Sequence, residues 1–198
     1  IGLSLVYPAV ATMPRIEQRF ADHPRPGTLD SLDWMRYGTI AGGTGELIRF
    51  DGDLEAIRWF QENVSGTPVI AEASIGPYRG DGSRFSIALG LPTVLGWDRH
   101  EQQQRYQPEI ATRDRDVREL YDSSSIDRKR AIIDAYGIEF IIAGDVERKS
   151  TVPSNSAQLY ASDEGIQALE AMVGSDLEIV FESNGTVVYR VVRDTGSD

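Results

Sequence analysis

Between Glu72 and Arg105 the sequence gathers side chains of the kinds that bind ligands or move protons: Glu72, Tyr78, Arg79, Asp81, Arg84, Trp97, Asp98, His100, Glu101 and Arg105. Within Gly-Leu-Pro-Thr-Val-Leu-Gly-Trp-Asp-Arg-His-Glu, an aromatic plate is followed three residues later by an imidazole beside a carboxylate. Trp97 can stack a sugar ring while His100 and Glu101 bond its hydroxyls, and His100 can also transfer a proton near neutral pH. Arg84 and Arg105 can hold a phosphate or carboxylate in a bidentate grip. The competing roles are structural: Trp97 as a core anchor, His100 as a local cap or ion-pair partner, and each arginine paired with a carboxylate. The candidate ligand-binding set is therefore Trp97, His100, Glu101, Arg84, Arg105, Tyr78 and Glu72, with no catalytic residue, metal ligand or cofactor assigned.

Other motifs carry less. The chain has no cysteine, so it offers no disulfide, thiolate metal site or cysteine nucleophile, and its two histidines, His23 and His100, are far apart in sequence. Gly42-Gly43-Thr44-Gly45 lacks the Gly-Lys-Ser/Thr of a phosphate loop and no apolar strand leads into it. Ser123-Ser124-Ser125 reads as a helix-capping run, because no Gly-x-Ser-x-Gly elbow is present. Asn63-Val64-Ser65 and Asn184-Gly185-Thr186 match the glycosylation sequon, a short pattern.

The elements that must position these residues follow from periodicity. Leu54, Ile57, Phe60 and Val64 lie on one face of a helix that opens at an aspartate-rich cap and stops at Gly66. Pro68 to Ala71 and Leu91 to Leu95 read as strands, Ser74 to Gly82 as a loop, Arg84 to Leu89 as a brief helix and His100 to Tyr106 as a polar one. Helices are also expected over Asp114 to Tyr121 and from Ser125 to Gly137, followed by an apolar strand from Ile138 to Ala143 that suits burial on both faces. Ser162 caps a last helix bearing Ile166, Leu169 and Val173, and Leu177 to Glu182 and Thr186 to Val192 form a hairpin about Asn184-Gly185.

This order implies an α/β fold: a three-layer αβα sandwich with a mainly parallel, Rossmann-like sheet and a C-terminal antiparallel hairpin. Ligands of such sheets bind beyond the carboxyl ends of strands, where the Glu72–Arg105 loops fall. Residues 1–50, broken by Pro8, Pro14, Pro24 and Pro26 and rich in glycine from Gly38 to Gly45, read as a membrane-proximal arm packing on a soluble body of residues 51–198. Ile-Gly-Leu-Ser-Leu-Val-Tyr-Pro at the start reads as the last turns of a truncated membrane helix, with a buried N-terminal strand as the alternative; a full span needs roughly 20 apolar residues. With 198 residues, 40% of them hydrophobic, the chain can bury a real core, and 31 acidic against 20 basic side chains give a net charge of −11. That charge keeps a domain soluble and repels phosphate backbones, so nucleic acid is not an expected partner.

Thr28-Leu29-Asp30-Ser31-Leu32, Asp53-Leu54-Glu55-Ala56-Ile57-Arg58-Trp59-Phe60, Gly90-Leu91-Pro92-Thr93-Val94-Leu95-Gly96-Trp97 with His100-Glu101, and Tyr136-Gly137-Ile138-Glu139-Phe140-Ile141 together resemble the C-terminal soluble part of the YYY family of multi-pass membrane proteins of bacteria and archaea. The resemblance spans most of the chain from about Tyr7 onward. It departs from the family pattern at Arg99, where glycine is expected before the histidine, and at Gln104, where tryptophan is expected before the arginine.

The resemblance implies a protein similar to GT-C type glycosyltransferases, in which a membrane-embedded portion of the same polypeptide uses a polyprenyl-phosphate sugar donor and carries the catalytic carboxylate. This chain would then be a non-catalytic extracytoplasmic domain at the cell membrane that shapes or covers the site where sugar donor or acceptor binds. Two alternatives stand beside it: a glycan- or peptide-binding sensor domain without catalytic role, and a hydrolase using His100 with Glu101 or Asp98. The hydrolase ranks last because neighbouring residues seldom aim at one atom and no nucleophile accompanies them.

Overall fold

The computed structural model describes residues 6–19, 29–76 and 81–193. The chain divides into two compact units, Ile1–Asp33 and Trp34–Asp198. The first contains helix α1 (Val6–Arg19), which tolerates Pro8 in its opening turn and carries Pro14 inside. Val6, Tyr7, Val10 and Met13 are exposed.

The second unit begins earlier than residue 51. Met35, Ile48 and Phe50 are buried, and the Trp34 ring meets Phe50 edge-on at 5.0 Å. Residues 39–49 form an antiparallel hairpin of β1 (Thr39–Ala41) and β2 (Leu47–Arg49). Next come helix α2 (Asp51–Asn63), strand β3 (Val69–Ala71) and short helices α3 (Arg84–Leu89) and α4 (Asp98–Gln102). The long α5 (Gln107–Asp122) and α6 (Ile126–Tyr136) lead into strand β4 (Ile138–Ala143) and helix α7 (Asp145–Lys149). A small pair, β5 (Thr151–Val152) and β6 (Asn155–Leu159), precedes α8 (Asp163–Ala171) and the closing strands β7 (Leu177–Ser183) and β8 (Thr186–Val191).

The central sheet has the order β3-β4-β8-β7 and is mixed. β3 runs parallel to β4, but β8 inserts antiparallel beside β4 and β7 antiparallel beside β8, so the mainly parallel sheet expected from the sequence is met at one edge. The apolar run of β4 signalled a central strand correctly; it could not signal direction, because any strand covered on both faces shows such a run. Phe140 faces α2, with the Phe60 ring 5.1 Å away. Ile141 and Tyr189, paired across β4 and β8, point to the opposite face and are buried as well. The strand expected over Leu91–Leu95 reduces to a single parallel bridge between Thr93 and Ile70. Pro92 has no N–H to give a ladder, and its carbonyl accepts from the Ile70 amide at 2.9 Å.

Helix ends follow the expected chemistry where the sequence supplied a cap. Ser125 Oγ accepts from the Arg128 amide at 3.3 Å, and Ser162 Oγ from the Gly165 amide at 3.0 Å. Gly137 ends α6 with φ of 61°. Asn184 and Gly185, with φ of 46° and 83°, make the tight hairpin turn. No helix among the described residues is long and apolar enough to cross a membrane.

Candidate functional site

Two neighbouring constellations arise where β3 ends. The inner one is ionic. Arg84, the first residue of α3, is 7% exposed and is held between two buried carboxylates. Its Nε donates to Asp53 Oδ2 at 2.5 Å, and its Nη1 and Nη2 donate to the two oxygens of Glu147, each at 2.9 Å. Thr186 Oγ1 donates to Asp53 Oδ1 at 2.9 Å, and the amides of Ala73 and Gly144 donate to Glu147, both at 2.9 Å. Helices α2, α3 and α7 thereby meet on one guanidinium, and β8 joins them through the Thr186–Asp53 bond.

Burial works against every charge here, and the partners decide each outcome. Desolvation pushes Asp53 above its ordinary carboxylate range, although Arg84 and Thr186 pull the other way. Glu147 is also desolvated, but Arg84 and the two backbone amides outweigh that and hold it below its usual value. Arg84 is raised, the Asp53 and Glu147 charges overcoming desolvation. Gly144 is required at this point because a Cβ there would lie 2.7 Å from Asp53 Oδ1 and 3.0 Å from Thr186 Oγ1.

Glu72 is 1% exposed, and its two oxygens accept the amides of Phe85 and Ser86, each at 2.8 Å. It therefore caps α3 from a distance, and desolvation raises its pKa. The Tyr121 hydroxyl shares its one proton between Ala71 O and Ile142 O, at 2.9 and 2.7 Å, and Tyr160 Oη accepts from the Ser74 amide at 3.0 Å. These buried phenols tie α5 and the segment before α8 to the ends of β3 and β4.

The outer constellation is α4 and the turn before it. The Trp97 and His100 rings lie 6.3 Å apart at an interplanar angle of 38°. His100 is exposed and Trp97 half-buried. Glu101 Oε1 accepts the Gly96 amide at 2.8 Å, its Oε2 is 3.5 Å from Arg105 Nε, and Ser74 Oγ donates to Gly96 O at 3.0 Å. The exposed Arg105 side chain thus sits beside Glu101.

Of the seven residues singled out from the sequence, Trp97, His100, Glu101 and Arg105 come together on α4 and its flanks. Arg84 and Glu72 belong to the buried network, where their polar atoms are engaged by protein groups. Tyr78 lies outside the described residues, as does Arg79. Sequence reasoning missed Asp53, Glu147 and Thr186, because Asp53 reads as an ordinary helix-opening aspartate and Glu147 as an acid on a short surface helix.

A cleft of about 270 Å³ opens elsewhere, between the β1–β2 hairpin and the α7–β5 turn, and is lined by residues including Gly42, Gly43, Asp81 and Thr151. Its glycines do not form a phosphate cradle. The Gly42 and Gly43 amides donate to Glu46 O and Lys149 O, and a Cβ on Gly43 would collide with Thr151. Among the described residues no group of histidine, aspartate or glutamate side chains is arranged to hold a metal ion.

The body is thus a mixed α/β domain with a buried ionic centre and an aromatic–imidazole edge beside it. No family model matches the sequence, and no curated protein matches it. Among solved structures, the C-terminal globular domain of an oligosaccharyltransferase from Archaeoglobus fulgidus is similar at 10% identity and a TM-score of 0.43, over 70% of this chain and 95% of that one. At that level the likeness assigns no function.

Proposed function

We propose that this chain is the extracytoplasmic accessory domain of a multi-pass membrane protein similar to GT-C type glycosyltransferases, and that it presents a ligand-facing edge while the membrane-embedded portion performs the transfer. The observation that carries this reading is the division of labour around β3. Arg84, Asp53, Glu147 and Glu72 are buried and committed to one another or to backbone amides. Trp97, His100 and Arg105 stand together on the side open to solvent. An aromatic face, an imidazole and a guanidinium suit stacking on a sugar and contacting its hydroxyls or phosphate. The sequence resemblance in the run from Gly90 to Glu101 supplies the class of partner, a polyprenyl-phosphate sugar or its acceptor. The net charge of −11 argues against a surface that adheres to anionic lipid head groups by itself.

The side of the membrane is testable because the chain contains no cysteine. A single cysteine at the exposed Arg99 position, in the full-length protein cleared of other thiols, should react with a membrane-impermeant maleimide in intact cells. Labelling that requires permeabilised cells would place the domain in the cytoplasm and end the proposal.

A further inference from the structure

The two glycosylation sequons of the chain stand in opposite structural settings. At Asn184-Gly185-Thr186 the groups are committed. Asn184 and Gly185 make the tight β7–β8 turn, and Asn184 Nδ2 donates to Glu55 Oε1 at 3.3 Å. Thr186 is 2% exposed, and its hydroxyl donates to Asp53 inside the Arg84 network. Helix α2 packs hard against this turn: a Cβ on Gly52 would lie 2.7 Å from Thr186 Oγ1 and 3.0 Å from Asn184 O.

Asn63-Val64-Ser65 is open by comparison. Asn63 is the last residue of α2, and both it and Ser65 are exposed. The chain leaves the helix between them. The Val64 amide makes the closing helical bond, to Phe60 O at 3.0 Å, and Val64 itself is extended, with φ of −114° and ψ of 129°. Ser65 and Gly66 then make no backbone hydrogen bond to a described residue, so another protein can bind this stretch without first breaking a ladder. Gly66, with φ of 81°, borders free space, since a Cβ there would meet nothing within 4 Å. The tether on Asn63 is local: its Nδ2 donates to Trp59 O at 2.8 Å, an exposed bond that water replaces at little cost.

We infer that Asn63 is an acceptor for an N-linked glycan and that Asn184 is not. This rests on the extracytoplasmic reading above, because the sequon is used on chains exported from the cytoplasm. The donor is an oligosaccharide carried on a polyprenyl phosphate, delivered by a transferase separate from this chain. Asn63 Nδ2 bonds to the anomeric carbon of the first sugar. The bond from that carbon to the carrier's phosphate oxygen breaks, its electron pair leaves with the phosphate, and one Nδ2 proton passes to a base of the transferase. An amide nitrogen is a weak nucleophile because its lone pair is shared with the carbonyl, so the acceptor must be gripped. The hydroxyl two residues on is the handle, and Ser65 offers it. Thr186 offers it only by taking a donor from Asp53 in a buried ionic network. The attachment point precedes β3, whereas Ser74, past the end of β3, touches the Gly96 turn beside Trp97, so the glycan leaves that edge clear.

Trypsin separates the two sites, giving one peptide from Trp59 to Arg79 that holds Asn63 and another that holds Asn184. Mass spectrometry of the full-length protein, purified from the membranes of its source organism, should find the mass of one glycan on Asn63 and none on Asn184. Ser65→Ala should lose that mass and Ser65→Thr should keep it, both being surface substitutions that leave folding intact. An unmodified Trp59–Arg79 peptide, from protein whose cysteine at position 99 labels in intact cells, would overturn the acceptor and leave the extracytoplasmic reading standing. The same unmodified peptide with labelling only after permeabilisation would overturn both. A glycan on Asn184 would overturn the protection assigned to the Thr186–Asp53 bond.

Discussion

Arg84 shows how a residue that looks like a ligand contact becomes a structural centre. It pairs with both Asp53 and Glu147, which are buried, so removing it takes the same cation from two carboxylates. Arg84→Met should lower unfolding stability by about 3–5 kcal/mol, measured by denaturant titration, the range typical of breaking a buried pair from one side. Adding Asp53→Asn and Glu147→Gln should recover much of that loss. Nothing in the sequence forecast this cluster, because its members are 31 and 63 residues apart and each has an innocent local reading. By contrast the Trp97–His100–Glu101 group was visible, since its members lie within one turn of chain and need no tertiary information to be neighbours.

At the scale of elements, the signals that succeeded were local. The apolar spacing from Leu54 to Phe60 gave α2, the caps at Ser125 and Ser162 gave the starts of α6 and α8, and Asn184-Gly185 gave the β7–β8 turn. Helix α5 begins at Gln107, ahead of the expected Asp114, with Pro108 in its first turn, where proline is favoured; a polar first turn offers no apolar stripe to read. The β1–β2 hairpin leaves no signal in the sequence, because three-residue strands are too short to show alternation.

The C-terminal end of α5 carries its own test. Lys129, fully buried on α6, donates from Nζ to Leu120 O at 2.5 Å, and desolvation lowers its pKa from 10.5 to about 8. Below pH 8 both folded and unfolded forms hold the proton, and the desolvation cost of about 3 kcal/mol is fully present. Between pH 8 and 10.5 the unfolded chain binds the proton and the folded one does not, so raising the pH stabilises the fold. Lys129→Met should therefore be more stable than the natural chain by about 1–2 kcal/mol at pH 7, after loss of the Leu120 contact. The difference between the two proteins should shrink as pH climbs through that window, followed by thermal unfolding at several pH values.

For the whole molecule, the proposed function requires that the buried ionic network hold the Trp97 edge in place. Arg84 ties α3 to α2 and α7, Glu72 fixes α3, and Glu101 fixes the turn that bears Trp97. The direct test is sugar transfer by the full-length protein carrying Trp97→Ala and His100→Ala, assayed in proteoliposomes with a polyprenyl-phosphate-linked hexose. The account predicts a KM raised about tenfold or more with kcat changed little, the signature of lost binding contacts. A kcat reduced by orders of magnitude at unchanged KM would make this edge part of the chemistry, and kinetics identical to the natural protein would show that the edge faces no ligand at all.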